Sequence, residues 1–156
     1  GFSLRPGAFE SFRAAFARAC HEQAGAPFLR PVLTLDGWLA GSDIGEPLLE
    51  AVRRLEPFGE GHAPPCWGLR RVRLAAPPRA VGSQGEHLRL ALATEDGTPL
   101  QAVWFRAGAL LPALLEMERR GGRCDVAGEL RGNAGDGSCR LEWLVADMRP
   151  AAPDGA

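Results

Sequence analysis

The 156-residue chain has no lysine, and all 18 of its basic residues are arginine. Every positive charge is therefore a planar fork able to pair bidentately with phosphate or to stack on a base. A GC-rich coding habit, which also favours Ala, Gly and Pro, accounts for an arginine usage spread over the whole chain. The formal net charge of −1 excludes a strongly basic protein that holds nucleic acid by bulk charge. No Cys-x-x-Cys pair occurs among Cys20, Cys66, Cys124 and Cys139. That excludes a disulfide-dense secreted scaffold, and the thiols read as reduced and partly buried. A zinc set drawn from Cys20, His21, His62 and Cys66 lacks a second knuckle, so these are read as small core residues and no metal is expected in the chain. No apolar run approaches the ~20 residues of a membrane span, and Gly1 opens neither a basic nor a hydrophobic leader. The expectation is a soluble, cytoplasmic protein with no membrane partner. Without an initiator Met, and with a helical pattern starting within a few residues, the chain reads as a piece of something longer.

What is present is 46% hydrophobic residue, enough for a core. Phe9, Phe12, Phe16 and Cys20 recur at helical spacing, predicting a helix over 7–23 whose aromatic stripe packs into a core. Gly25 and Pro27 end it. "PVLTLDGWLA" predicts a strand over 32–40. A second helix follows, with Gly45 and Pro47 at its start, Leu48, Leu49, Val52 and Leu55 as its buried face, and Pro57 as its stop.

Beyond residue 67 the period changes to two. Strands are expected at 69–76, at 87–94 with Leu88, Leu90 and Leu92 on one face, and at 100–106. A helix with Leu110, Leu111, Leu114 and Leu115 on its face closes at Gly121-Gly122. Strands near 123–131 and 139–148 are joined by "GNAGDGS", and the tail 151–156 reads as frayed. The fold class is α+β, mainly β: a helix-strand-helix segment, then strand, strand, strand, helix, strand, strand. That order suits a five-stranded OB-fold barrel, with an open sheet packed under helices as the alternative.

Between the two periods lies "LEPFGEGHAPPCW", residues 55–67. Gly59 and Gly61 permit backbone angles closed to other residues, Pro64 and Pro65 stiffen the exit, and Phe58 and Trp67 can pin the connector to the barrel. It reads first as a structural clasp. A direct nucleic-acid contact by His62 or Trp67 is the sharper reading, since rings near an OB mouth can stack bases.

This stretch resembles the Leu-x-Pro-Phe-Gly-x-Gly-Asn-Pro-x-Pro-x-Phe signature preceding the OB domain of RecJ-type single-strand-specific DNA exonucleases, in the DHH phosphoesterase superfamily. Leu55, Pro57, Phe58, Gly59, Gly61 and Pro65 match, Trp67 stands for the last aromatic, and His62-Ala63 replaces Asn-Pro. "GEHLRLAL" is similar to the family's Gly-Lys-His-Leu-Lys-Leu strand, and "LEWLVADMRP" to its closing strand. "GFSLRPGAFESFRAAF" resembles the stretch after its Gly-Gly-His motif, of which only Gly1 could remain.

The resemblance implies the end of a DHHA1 domain over 1–30, a strand, helix and connector over 31–67, and an OB domain over 68–150. It implies a role in guiding single-stranded DNA for a 5′-3′ exonuclease of repair and recombination. The catalytic carboxylates and histidines, with their manganese or magnesium, would lie in an upstream DHH portion, and Asp36, Asp43 and Glu46 do not reproduce their spacing. No catalytic residue and no cofactor is therefore assigned to this chain. Single-stranded DNA and the DHH/DHHA1 portion are the implied partners, with a single-strand-binding protein or a helicase as further candidates. Arg89 and His87, opposite the Leu row, and Phe105 on the third strand are the first candidate DNA contacts; Arg71, Arg73, Arg131 and Arg140 are second. About half of such exposed positions merely cover a sheet. The alternative is an OB module that braces the nuclease or binds protein without touching DNA.

Overall fold

The structure, a computed structural model, describes residues 3–24, 32–135 and 138–152. The chain divides into two compact units, Gly1–Leu33 and Thr34–Ala156. In the first, α1 (Phe9–Ala24) forms where helical spacing predicts it, but the expected core packing of its stripe is corrected. None of its residues is buried, and Phe9 and Phe16 are 59% and 58% exposed. Phe12 stacks on Phe16 with ring centroids 5.6 Å apart. Among the described residues of its unit the helix has no second layer to bury against, so the aromatic face stays at the surface.

The second unit starts with β1 (Gly37–Leu39), paired in parallel with the start of β2 (Trp67–Val81). The strand expected over 32–40 is shorter because pairing stops at Leu39 opposite Leu69, where β2 enters a bulge. A 3-10 turn (Gly41–Asp43) leads to α2 (Glu46–Arg53). Leu49 and Val52 are buried and Leu48 packs against the same core. Leu55 is 49% exposed rather than buried, because the helix ends at Arg53 before another turn can bring it round.

The remaining elements are β3 (His87–Ala93), β4 (Pro99–Trp104), α3 (Leu111–Arg119), β5 (Arg123–Gly135) and β6 (Ser138–Pro150). Around the barrel the order is β2-β3-β4-β6-β5, closed by β5 on β2, with β4 and β6 parallel. This is the five-stranded OB barrel, with α3 between its third and fourth strands. Residues 136 and 137, the centre of the expected "GNAGDGS" turn, and the tail from 153 onward lie outside the described residues.

Closure depends on the bending of β2. Its register shifts after Leu69, Leu74 and Ala76. Such bulges add residues to one strand and sharpen its twist, so β2 pairs with β5 early and β3 late. Pro77 and Pro78 sit within the last shift, where no ladder N–H is required, and the strand runs on past its expected end at residue 76. Leu69 and Val72 are both buried across the first shift, leaving Arg70 and Arg71 between them with Arg71 at φ 53°.

Inside, Leu88, Leu90 and Leu92 keep period two and are fully buried. Trp143 of β6 is buried completely and lies against Gly128, where a Cβ would come 3.0 Å from the indole Cδ1. Leu114 of α3 and Leu49 of α2 complete the cluster.

A hydrogen-bonded clasp joins the turn before α2 to the loop between β3 and β4. The Asp96 carboxylate accepts from the Thr94 hydroxyl, from the Thr98 N–H at 3.2 Å and from the Ser42 N–H at 3.0 Å. Buried Gly41 faces these groups, and a Cβ there would strike the Asp96 carboxylate and the Thr94 and Thr98 hydroxyls. Gly41→Ala should therefore cost about 1–3 kcal/mol, seen as a lower urea midpoint with an unchanged slope; a parental midpoint contradicts the clasp. The Thr94 hydroxyl first, then the Thr98 N–H, hold the Asp96 carboxyl down to about 2 from its ordinary 3.8. Above 3.8 the carboxyl is ionised in both states and its contribution to stability is complete. As pH falls the unfolded chain takes up the proton first, so the contribution is lost between 3.8 and about 2. Asp96→Asn should flatten the stability curve across that window; an unchanged acid profile contradicts the assignment.

Candidate nucleic-acid interface

With Leu88, Leu90 and Leu92 inside, His87, Arg89 and Ala91 face outward from β3. Register carries the row across the sheet, since Arg89 stands opposite Arg79 on β2 and Val103 on β4, and Val103 opposite Leu144 on β6. Two arginine side chains thus leave adjacent strands on one face, from Cβ atoms at the ~5 Å spacing of directly opposed residues, where like charges repel. Both are exposed, and among the described residues neither has a hydrogen-bond or ion-pair partner. An anion lying between them would remove the repulsion and satisfy both forks.

Phe105 stands at the end of this face, just past β4 rather than within the strand expected over 100–106. The chain turns there, with Arg106 at φ 57°. The Arg106 N–H donates to His87 Nδ1 at 3.1 Å, and the His87 and Phe105 rings meet at 83° with centroids 4.9 Å apart. His87 is half-buried and holds the turn, while the Phe105 ring remains 54% exposed. Behind it, the Gly108 N–H donates to the Glu86 carbonyl at 3.0 Å, and a Cβ at Gly108 would strike the Gly85 carbonyl oxygen. Glu86 curls over its own loop: its own and the Gln84 backbone N–H groups, and then His87, hold its carboxyl below the usual range. The loop before β3 and the turn after β4 are thereby tied together, fixing the place of Phe105.

The other sequence-predicted residues are dispersed. Arg71 sits in the β2 bulge, its N–H donating to Asp125 Oδ1 at 3.2 Å and its Nε to Glu95 Oε1 at 2.9 Å. Arg73 is exposed beside Ala93 and Arg123. Arg131 donates to Glu129 Oε2 from both Nε and Nη2 and faces Glu142, so carboxylates flank its charge. Arg140 is exposed opposite Asn133 on the β5–β6 hairpin.

In the connector, the N–H of Gly59 donates to the His62 carbonyl at 2.9 Å and that of His62 to the Gly59 carbonyl at 3.1 Å, with Gly61 at φ 77°. The His62 ring lies 5.4 Å from Phe58, and its Nε2 donates to the Leu55 carbonyl at 2.8 Å. Trp67 packs against the barrel core. Here His62 makes contacts within the connector itself.

Arg79 was missed by sequence reading because the prolines before it signal the end of a strand. Among the described residues, no group of three or more His, Cys, Asp or Glu gathers as metal ligands, and no helix is long and apolar enough to cross a membrane.

The same fold occurs in two crystal structures of RecJ from Thermus thermophilus, each matched over 98% of this chain. The manganese complex is 27% identical with a TM-score of 0.55, and the magnesium complex 24% identical with a TM-score of 0.52. The chain spans only 21% and 22% of those two RecJ chains. None of the curated proteins compared with the chain matches it. The family model for the RecJ OB domain matches residues 35–147, which takes in β1, α2, the connector and nearly all of the barrel. The chain belongs to the RecJ OB domain family.

Proposed function

We propose that this chain is the single-stranded-DNA-guiding portion of a RecJ-type 5′-3′ exonuclease. It holds the strand across the outer face of β2, β3 and β4, while a DHH portion outside this sequence, served by manganese or magnesium, cuts it. Residues 1–30 are then the end of the preceding DHHA1 domain. The observation that carries the reading is the opposed pair of Arg79 and Arg89, without a side-chain partner among the described residues, next to the exposed ring of Phe105. Phosphates suit the forks and an unpaired base suits the ring, which is the combination by which single strands are held without sequence preference. His87 acts by positioning Phe105. Family membership and the fold shared with Thermus RecJ support the assignment.

Fluorescence anisotropy with a labelled single strand, titrated at several salt concentrations, tests it. Arg79→Ala and Arg89→Ala should each weaken binding and make the slope of log affinity against log salt shallower by ~0.7 per lost phosphate contact. Phe105→Ala should cost ~1–3 kcal/mol with the slope kept. Arg131→Ala should bind like the parent, because Glu129 already occupies its fork. Circular dichroism establishes that each variant is folded. Parental binding by the folded Arg79, Arg89 and Phe105 variants, or no binding by the parent at low salt, replaces this reading with that of a bracing module.

The purified chain should leave single-stranded DNA intact in the presence of manganese or magnesium. Metal-dependent degradation that co-purifies with the folded chain contradicts the division of labour.

A further inference from the structure

Trp38 of β1 is 42% exposed, whereas Trp143 is buried and Trp67 and Trp104 are half-buried. The ring atoms Cε3 and Cζ3 of its indole lie against β2 at Gly68, where a Cβ would come within 2.6 Å of Cζ3, so the missing side chain makes the seat. The guanidinium carbon of Arg70 sits 4.4 Å from the ring centroid. Beside this stacked pair opens a cleft of about 430 Å³, with Leu39 and Leu69 among its lining residues and Glu95 and Asp96 on the β3–β4 loop. That volume lies within the ~300–1,000 Å³ range of small-ligand sites.

The acidic side is largely occupied from within. Glu95 holds Arg71 at 2.9 Å, and Asp96 accepts the three hydrogen bonds of the clasp. Those carboxylates turn a phosphate away but can still accept an N–H, which every nucleobase offers. The arrangement suits a base in the cleft and its phosphate on the Arg70 side. From Arg70, exposed arginines continue along β2 at Arg73 and Arg79, the last facing Arg89. The nine residue steps from Arg70 to Arg79 span at most ~30 Å of strand, a distance suited to the ~4–16-nucleotide footprint of an OB fold.

We propose that the Trp38–Arg70 cleft is a second stacking site, taking one unpaired base of a single strand whose phosphates follow Arg70, Arg73 and Arg79 toward Phe105. This rests on the reading that the barrel's outer face binds single-stranded DNA. Arg70 keeps the indole in place and supplies the phosphate contact next to it.

The test uses the full chain and a labelled oligodeoxythymidylate of about 16 nucleotides, followed both by anisotropy of the label and by tryptophan emission. Saturation should quench the parent's emission, and Trp38→Phe should lose that quench while its affinity falls only a few-fold, since a ring remains. Trp38→Ala should weaken binding roughly tenfold. Arg79→Ala should weaken binding yet show the full quench once saturated. Saturable binding with unchanged parental emission, or an undiminished quench in Trp38→Phe, overturns the second site while leaving the outer-face reading intact. No anisotropy change in the parent at low salt overturns both.

Discussion

β2 binds β5 with its first half and β3 with its second, and this double pairing is the constraint on which the barrel unit rests. A straight strand cannot turn between two neighbours in that way; the shifts after Leu69, Leu74 and Ala76 supply the bend. The same shifts decide what faces outward. The first sends Arg70 toward Trp38 and Arg71 toward Glu95, and the last brings Arg79 opposite Arg89. Closure and candidate site are thus products of the same local irregularities. The packing of Trp143 against Gly128 fills the interior they enclose.

Net charge is a poor guide to such a surface. The formal −1 sums arginines in two different situations. Arg13, Arg71, Arg119, Arg120, Arg131 and Arg149 each stand against a carboxylate. Arg73, Arg79 and Arg89 are exposed on β2 and β3 with no such partner among the described residues. Long-range attraction is weak in a nearly neutral chain, so under the proposed function affinity has to come from forks and rings already in place. The lacing of Arg106, His87, Glu86 and Gly108 fixes the place of Phe105, the kind of preorganisation that binding by such groups requires.

Much of the barrel was legible in the sequence because its strands keep period two wherever one face is buried, as Leu88, Leu90 and Leu92 show. Patterns that depend on a partner elsewhere were not. The Phe9, Phe12 and Phe16 stripe has the spacing of a core helix, but spacing does not say whether a second layer is present in the same unit. Leu55 fits the face of α2 by periodicity, yet the helix ends two residues earlier. Pro77-Pro78 marks the end of an ordinary strand and hides the continuation to Arg79, since bulges follow from strand pairing that no local signal reveals. That Arg131 pairs with Glu129, two residues away on the same strand face, follows from side-chain geometry that composition does not show. The outward placement of His87 and Arg89 follows from alternation alone, whereas the hydrogen bond of His87 to the turn at Arg106 depends on the fold.

In the proposed function a single strand of DNA lies on the outer face of β2, β3 and β4. Amide chemical-shift mapping of the isotopically labelled chain during titration with an unlabelled oligonucleotide addresses it directly. The largest shifts are expected around Arg79, at His87 to Ala91 and at Val103 to Arg106, with the connector turn at Gly59 to His62 unmoved. Shifts confined to the connector or to the β5–β6 hairpin, with β3 and β4 silent, would contradict it.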